Sequence, residues 1–159
     1  MTCESERIDE VNDRLRLIQR TDGITFGTDA LLLAGYIGKG YTAAMELGAG
    51  SGILSLLLQT REKVQRVTAL EVQREYVSLT ERNAALNGLS DRLFPRLCDV
   101  RDFVPEKDES YDLVFTNPPY MKRGTGSENP SEGKNIARRE VHGTIGDCLL
   151  AAGRALSYG

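Results

Sequence analysis

The sequence predicts an α/β fold in which helices pack on both faces of a mainly parallel sheet. Apolar runs of strand length alternate with runs of helix length along most of the chain, which is the pattern of parallel strands joined by helical crossovers. A glycine cluster at residues 48–52 follows one apolar strand, and ligands in such folds bind at the carboxyl ends of strands. The 159 residues suffice for one domain with a sizeable core.

The first predicted elements lie well ahead of the glycine cluster. Residues 14–20 and 24–26 are expected to be extended, because the Asp22-Gly23 pair between them favours a turn. Thr28 or Asp29 is placed to cap the helix that follows.

That helix covers the apolar residues 30–36, and glycines end it. Residues 42–47 are apolar and end at the glycine cluster, as a buried strand does. Residues 53–60 are strongly apolar and predict a helix packed on the sheet. Residues 67–71 predict the next strand, and the helical spacing of apolar residues within 73–86 predicts an amphipathic helix.

The last predicted elements follow a stop at Asn87-Gly88. Residues 93–98 and 111–115 predict two more strands, the first of which contains a proline. Residues 121–135 are polar and rich in glycine, and predict a loop. Residues 136–156 contain a final helix that is interrupted near its middle by glycines.

The composition excludes several classes of protein. The net charge of -3 is not the strongly basic balance of a dedicated nucleic-acid-binding module, although a local basic patch suffices for an enzyme that handles nucleic acid briefly. No apolar run is long enough to span a membrane. Cys3, Cys98 and Cys148 are odd in number and far apart, which argues against a disulfide framework or a zinc site and for a reducing, cytoplasmic compartment.

The segment from Glu46 to Gly52 reads Glu-Leu-Gly-Ala-Gly-Ser-Gly. Its glycines let the backbone turn tightly and approach a ligand closely, and the helix that follows offers N–H groups to a carboxylate. The spacing differs from the G-x-G-x-x-G of dinucleotide sites, and the Glu46 carboxylate suits a cationic amine or sulfonium better than a pyrophosphate. A strand-to-helix turn without a ligand is the alternative.

Carboxylates follow the next two predicted strands. Glu71 comes about 20 residues after the glycines and can accept hydrogen bonds from both hydroxyls of a ribose. Asp99 can accept from an adenine amino group, and Asp102 is the competing candidate for that role. Turn or surface positions are the alternative for these acids.

The tetrapeptide Asn117-Pro118-Pro119-Tyr120 follows the fourth predicted strand and is the most specific motif. Its prolines end the strand ladder and stiffen the backbone, so that the Asn117 amide oxygen and the Pro118 carbonyl oxygen could both accept from a substrate NH2 group. The nitrogen lone pair would then face an incoming methyl group, and the Tyr120 ring could stack on a planar base. Such catalysis depends on alignment and needs no general base.

With these motifs the chain resembles the class I methyltransferases of the N-P-P-Y type, which act on adenine N6 or glutamine N5. It is most similar to their small-domain family, whose bacterial members include the enzymes that methylate adenine 37 of valine tRNA. The resemblance covers about residues 15–156. Besides the glycine segment and the tetrapeptide, it is carried by residues 26–33 and by Ala137-Arg138-Arg139-Glu140.

The resemblance implies a Rossmann-like fold, S-adenosyl-L-methionine as the methyl donor and an RNA substrate such as tRNA. It also implies that residues 1–40 pack over the donor site and that residues 41–159 form the donor-binding core. The implied donor-binding residues are Thr28, Asp29, Glu46, Gly48, Gly50, Gly52, Glu71, Asp99 and Val100, and the implied catalytic residues are Asn117, Pro118, Pro119 and Tyr120.

In the same family the sheet continues, with a further strand and a hairpin, past the helix that ends near Leu156. We therefore expect the C-terminal strands of the sheet to be truncated in this sequence. An apolar strand edge would then be exposed, and such an edge favours a homodimer.

The acceptor stays open on sequence alone. The segment after the tetrapeptide is locally basic, which suits a phosphate backbone and makes adenine N6 in tRNA the leading hypothesis. The alternatives are a glutamine-N5 protein methyltransferase, a non-catalytic domain that binds S-adenosylmethionine, and a nicotinamide-dependent oxidoreductase, against which the glycine spacing and the tetrapeptide argue. The basic residues are Lys122, Arg123, Lys134, Arg138 and Arg139.

Overall fold

Four parallel strands form the sheet on which the rest of the described chain packs. A computed structural model describes residues 5–22, 26–118 and 144–156. The elements in chain order are β1 (Glu6–Asn12), β2 (Leu15–Arg20), α1 (Thr28–Tyr36), β3 (Tyr41–Leu47), α2 (Ile53–Thr60), β4 (Val64–Glu71), α3 (Arg74–Leu86), β5 (Leu93–Leu97), β6 (Leu113–Thr116) and α4 (Ile145–Ala155).

The strand order in the sheet is β5-β4-β3-β6, so that β3 and β4 lie in the middle. The carboxyl-terminal halves of both central strands, residues 44–47 and 67–71, are almost wholly buried because helices cover both of their faces. Ala44 and Ala69 belong to the core cluster on the side of α1, α2 and α3. Met45, Leu47 and Leu70 belong to a second cluster, which includes residues of α4. The predicted α/β fold is confirmed.

A separate antiparallel hairpin, β1 and β2, precedes the sheet. β1 was not predicted, because its sequence Glu-Arg-Ile-Asp-Glu-Val-Asn is mostly polar and all its residues are exposed or half-buried. Pairing with β2 holds it, and Arg82 of α3 forms an ion pair with Glu6 at 2.6 Å between Nη2 and Oε2.

Asn83 of α3 and Asn87, which directly follows that helix, attach this hairpin to the domain. The Oδ1 atom of buried Asn83 accepts from the Ile18 N–H at 2.7 Å, and its Nδ2 donates to the Ile18 carbonyl at 3.1 Å. Asn87 makes the same pair of bonds with Arg16, at 3.0 and 2.7 Å. Four helical residues rise about 6 Å and two strand residues about 6.7 Å, so both amides meet the edge of β2 in register.

The bounds of the elements differ modestly from those predicted. α2 has the predicted bounds, whereas β4 begins three residues earlier, at Val64. β6 begins at Leu113 because Tyr111, predicted to start this strand, instead forms an isolated parallel bridge with Leu156. Most of residues 24–26 and all of the predicted loop at 121–135 lie outside the described residues. The homodimer through the sheet edge stays a prediction.

Across the three described ranges, none of the helices has both the length and the apolar character needed to cross a membrane.

We expect Asn83→Ala to lower the free energy of unfolding by about 3 kcal/mol, because it leaves the buried N–H and C=O of Ile18 without their partner and also removes a bond to the Ser51 carbonyl. Asn87→Ala is the matched control: it removes the equivalent bonds to Arg16 at an exposed position, where water replaces them at a cost of about 1 kcal/mol or less. Urea unfolding monitored by circular dichroism measures both. Equal losses would contradict the role given to burial.

Candidate active site

Strand register brings three of the predicted motifs together at one edge of the sheet. Leu47 of β3 pairs with Leu70 of β4 on one side and with Thr116 of β6 on the other. The residues that follow these three strand positions are Gly48, Glu71 and Asn117. The Thr116 hydroxyl donates to the Leu47 carbonyl at 2.8 Å and fastens β6 at this point.

The glycine segment leaves β3 in a tight loop that depends on left-handed backbone. Gly48, Gly50 and Gly52 have φ values of 72°, 55° and 77°, which L side chains rarely adopt. The N–H groups of Gly48 and Ala49 both donate to the Leu70 carbonyl, at 2.9 and 3.0 Å. The loop is thereby held against the end of β4, and it leads directly into α2 at Gly52.

Gly52 also lacks room for a side chain. A Cβ atom there would lie 2.6 Å from Cγ2 of Thr80 in α3. Thr80 is buried, and its hydroxyl donates to the Gly50 carbonyl at 2.9 Å. The close packing of α3 under the loop therefore requires glycine at position 52.

Glu71 ties the glycine loop to β4. It is buried, with 2% of its surface exposed. Its Oε2 atom accepts from the Gly50 N–H and its Oε1 atom from the Gln73 N–H, both at 2.9 Å. Each carboxylate oxygen has two lone-pair positions, so Glu71 can accept further hydroxyl donors without releasing the loop. Its predicted ribose contact stays a prediction.

Glu46 lies in the same region but is directed towards α2. It is buried, and one carboxylate oxygen accepts from both the N–H and the hydroxyl of Ser55. Burial raises the pKa of Glu46 to about 8, the nearby charge of Glu71 adds to the rise, and the Ser55 bonds oppose it. Burial therefore favours the protonated form of Glu46 at pH 7, and its predicted contact with the donor stays a prediction.

Asp99 follows β5, at the end of the same edge. Its carboxylate accepts from Nε of Arg101 at 2.9 Å and from the Arg101 N–H at 2.9 Å, and it also pairs with Nη2. Val100 is buried in the core cluster on the α4 side of the sheet. An adenine contact at Asp99 and Val100 would have to share the Asp99 carboxylate with Arg101, and it stays a prediction.

Asn117 makes a contact that the sequence did not predict. Its Nδ2 atom donates to Oδ2 of Asp29 in α1 at 2.7 Å, across 88 residues of sequence. The prediction that Thr28 or Asp29 caps α1 was wrong: Gly27 is the N-cap, with no side-chain cap bond. The helix begins at Thr28, two residues before the predicted range of 30–36, and the Asp29 carboxylate is directed to Asn117.

The structure describes only part of the predicted acceptor region. Pro118 is half-buried at the end of the described segment. Pro119 and Tyr120 lie outside the described residues, and so do the basic residues between 122 and 139. Their predicted roles stay predictions.

Two side chains that support the site, Ser55 and Asn83, were not among the predicted site residues. Ser55 contacts Glu46, and it is a small polar residue in an otherwise apolar stretch of α2. Asn83 donates to the Ser51 carbonyl at 2.9 Å and so reaches the glycine loop. Polar residues at buried positions of the helices after β3 and β4 were the available signal.

Comparison with known families and proteins gives consistent matches. The model of the methyltransferase small domain matches residues 21–136. The tRNA1(Val) (adenine(37)-N6)-methyltransferase of Citrobacter koseri is 32% identical over 120 residues, which are 75% of this chain and 46% of that protein. The protein of the same name from Pedobacter heparinus is 36% identical over 113 residues, 70% of this chain and 46% of that one. The chain thus spans about half the length of these curated relatives.

Solved structures share the fold. The TYW2 protein of P. horikoshii, in complex with MeSAdo, superposes with a TM-score of 0.59 at 21% identity and covers 72% of this chain and 43% of its own. The M. jannaschii TYW2 protein, in complex with AdoMet, gives 0.59 at 20% identity, covering 72% and 52%. At such identities the likeness concerns the fold alone, which is the Rossmann-like fold expected.

We expect the stability of the protein to fall as pH rises from about 5 to about 9, in part because of Glu46. The folded state keeps the Glu46 proton up to a pKa of about 8, whereas the unfolded state loses it near 4.5. The unfolded state therefore binds fewer protons in this window, and stability decreases with pH.

The variant Glu46→Gln carries no ionisable group at this position. We expect its free energy of unfolding, relative to the native protein, to rise by a few kcal/mol between pH 5 and pH 9. Urea midpoints at half-unit pH steps give the two curves. Glu81→Gln, on the exposed side of α3, controls for the loss of a negative charge, and parallel curves for Glu46→Gln and the native protein would refute the argument.

We expect Gly52→Ala to lower the free energy of unfolding by about 2 kcal/mol or more, from the left-handed φ and the clash with Thr80. Adding Thr80→Ser removes the clashing Cγ2 atom and should recover part of the loss. Gly153→Ala, in α4 with nothing within 4 Å, should leave stability unchanged or raise it by up to about 1 kcal/mol. Thermal unfolding of the three variants measures this, and no recovery in the double variant would exclude the clash.

Proposed function

Because the chain belongs to the methyltransferase small domain family, we propose that it transfers a methyl group from S-adenosylmethionine to the N6 amine of an adenine in tRNA. The observation that carries the proposal is the row formed by Gly48, Glu71 and Asn117, which follow paired positions on three adjacent strands. Donor-binding and acceptor-binding groups are therefore neighbours at one edge of the sheet.

The residues on the donor side fit this molecule. The glycine loop offers backbone without side chains between β3 and α2, and N–H groups at the start of a helix favour a carboxylate. Glu71 keeps lone pairs for the ribose hydroxyls. Glu46 provides a buried acid that a neighbouring cation would drive towards its ionised form. When bound, S-adenosylmethionine supplies an electrophilic methyl group.

The residues on the acceptor side act by holding an amine. The Asn117 amide oxygen and the Pro118 carbonyl oxygen would each accept one hydrogen of the substrate NH2 group and direct its lone pair towards the donor side of the edge. The proton that the amine loses on methylation would then leave to water, so no general base is required. The gain in rate comes from alignment of the reacting groups.

The names of the curated relatives support adenine in tRNA as the acceptor. The relatives are about twice as long as the matched part, so the activity of this chain and its RNA partner are proposals. Glutamine-N5 methylation of a protein and donor binding without turnover are the outcomes to be separated by experiment.

We expect isothermal titration to detect binding of S-adenosylhomocysteine and no binding of NAD. With labelled donor, we expect incorporation into unmodified bulk tRNA, with N6-methyladenosine found by mass spectrometry after nuclease digestion. Asn117→Ala should leave the affinity for S-adenosylhomocysteine within about twofold and lower turnover on the order of 10²-fold, the loss typical of a preorganised hydrogen-bonding group.

Incorporation into a release factor and not into tRNA would replace the acceptor with protein glutamine. Donor binding without incorporation into either would favour a non-catalytic domain. Failure to bind S-adenosylhomocysteine would overturn the proposal as a whole.

A further inference from the structure

The contact between Asp29 and Asn117 joins the start of α1 to the end of β6. The Asn117 Nδ2 atom donates to Oδ2 of Asp29 at 2.7 Å. Both residues lie at the edge of the sheet where Gly48 and Glu71 converge. Asp29 is exposed and Asn117 is half-buried. The acceptor of this bond is a charged group, which strengthens a hydrogen bond relative to a neutral one.

An asparagine amide has two unlike ends, since its NH2 group only donates and its oxygen only accepts. When the NH2 end is bound to the Asp29 carboxylate, the amide oxygen is left to accept a hydrogen bond from another group. A flipped amide would bring its oxygen against the Asp29 carboxylate, which repels it. The carboxylate therefore selects one of the two orientations of Asn117.

Only the orientation with the Asn117 NH2 group on Asp29 suits a substrate amine that is to be methylated. A substrate NH2 group held for methylation needs an acceptor for its hydrogen, whereas the NH2 end of a flipped Asn117 could only donate to the lone pair that must stay free. We infer that Asp29 is a positioning residue that fixes the amide of Asn117 with its oxygen available to the substrate amine. The inference rests on the proposed function and deepens its acceptor half.

Gly27 leaves room for the exposed Asp29 carboxylate. A Cβ atom on Gly27 would lie 2.5 Å from Oδ1 of Asp29, so the carboxylate lies against bare backbone. Gly27 has φ −102° and ψ 178°, an extended conformation that any residue adopts, so close approach and not backbone strain is the reason for glycine here. Asp29 is also in the first turn of α1, where the helix dipole favours a negative charge.

Kinetics on the full chain test the inference. We expect Asp29→Ala and Asp29→Asn to lower kcat for tRNA methylation about 10-fold or more, with the affinity for S-adenosylhomocysteine unchanged within about twofold. Gly27→Ala keeps both polar groups but displaces the carboxylate, and should lower kcat in the same way. Asp91→Asn, exposed before β5 at the opposite edge of the sheet, controls for the lost charge and should keep native kcat.

A double-mutant cycle separates positioning from other roles. If Asp29 acts through Asn117, Asp29→Ala should cost almost nothing further in an Asn117→Ala background. Additive losses would overturn the inference and indicate a purely structural role. A loss of donor affinity in Asp29→Ala would overturn it in favour of the donor-binding role implied by the family resemblance.

A second measurement does not need activity. In ¹⁵N-labelled protein, the side-chain NH2 signals of Asn117 are those absent from Asn117→Ala. We expect one of their protons to be shifted downfield by the carboxylate and to move upfield in Asp29→Ala. If the Asn117 proton signal does not move in Asp29→Ala, the inference is overturned. If the signal moves but the protein transfers no methyl group, the result counts against the proposed function alone.

Discussion

The site depends on the register of β3 with its two neighbours. Alternate residues of β3 are buried on opposite faces, with Ala44 in one core cluster and Met45 and Leu47 in the other. A slip of one residue would exchange these faces and turn Glu46 away from α2. Because burial on both faces forbids that slip, the same hydrophobic pattern that forms the sheet also determines that Glu71 and Asn117 flank the glycine loop.

The acids at this edge already hold protein groups. Glu71 binds the loop backbone, Glu46 binds Ser55, and Asp29 binds Asn117. Such bonds orient the carboxyl groups before any ligand arrives, and the ordering entropy is then lost on folding and not on binding. Burial raises the pKa of Glu46 to about 8. A cation bound beside Glu46 would favour its ionised form.

The sequence predicted what depends on local pattern. The apolar run of α2 and the glycines after β3 gave correct elements, because burial and left-handed backbone restrict the residue types strongly. β1 was not predicted, because its segment is polar and is held as a strand by pairing with β2. The prediction that Thr28 or Asp29 caps α1 was wrong. The contact of Asp29 with Asn117 was not predicted because the two residues are 88 positions apart. Contacts of this kind depend on tertiary structure, and no local periodicity encodes them.

α3 connects the β1–β2 hairpin to the glycine loop, although none of the hydrogen bonds described above joins the hairpin directly to the loop. Thr80 packs against Gly52, and Asn83, one turn later on the same face, donates to both the Ser51 and Ile18 carbonyls. If the hairpin were removed, Asn83 would lose the Ile18 bonds and be exposed to water, which competes for its bond to the Ser51 carbonyl. The N-terminal hairpin therefore helps to hold the glycine loop through Asn83 of α3.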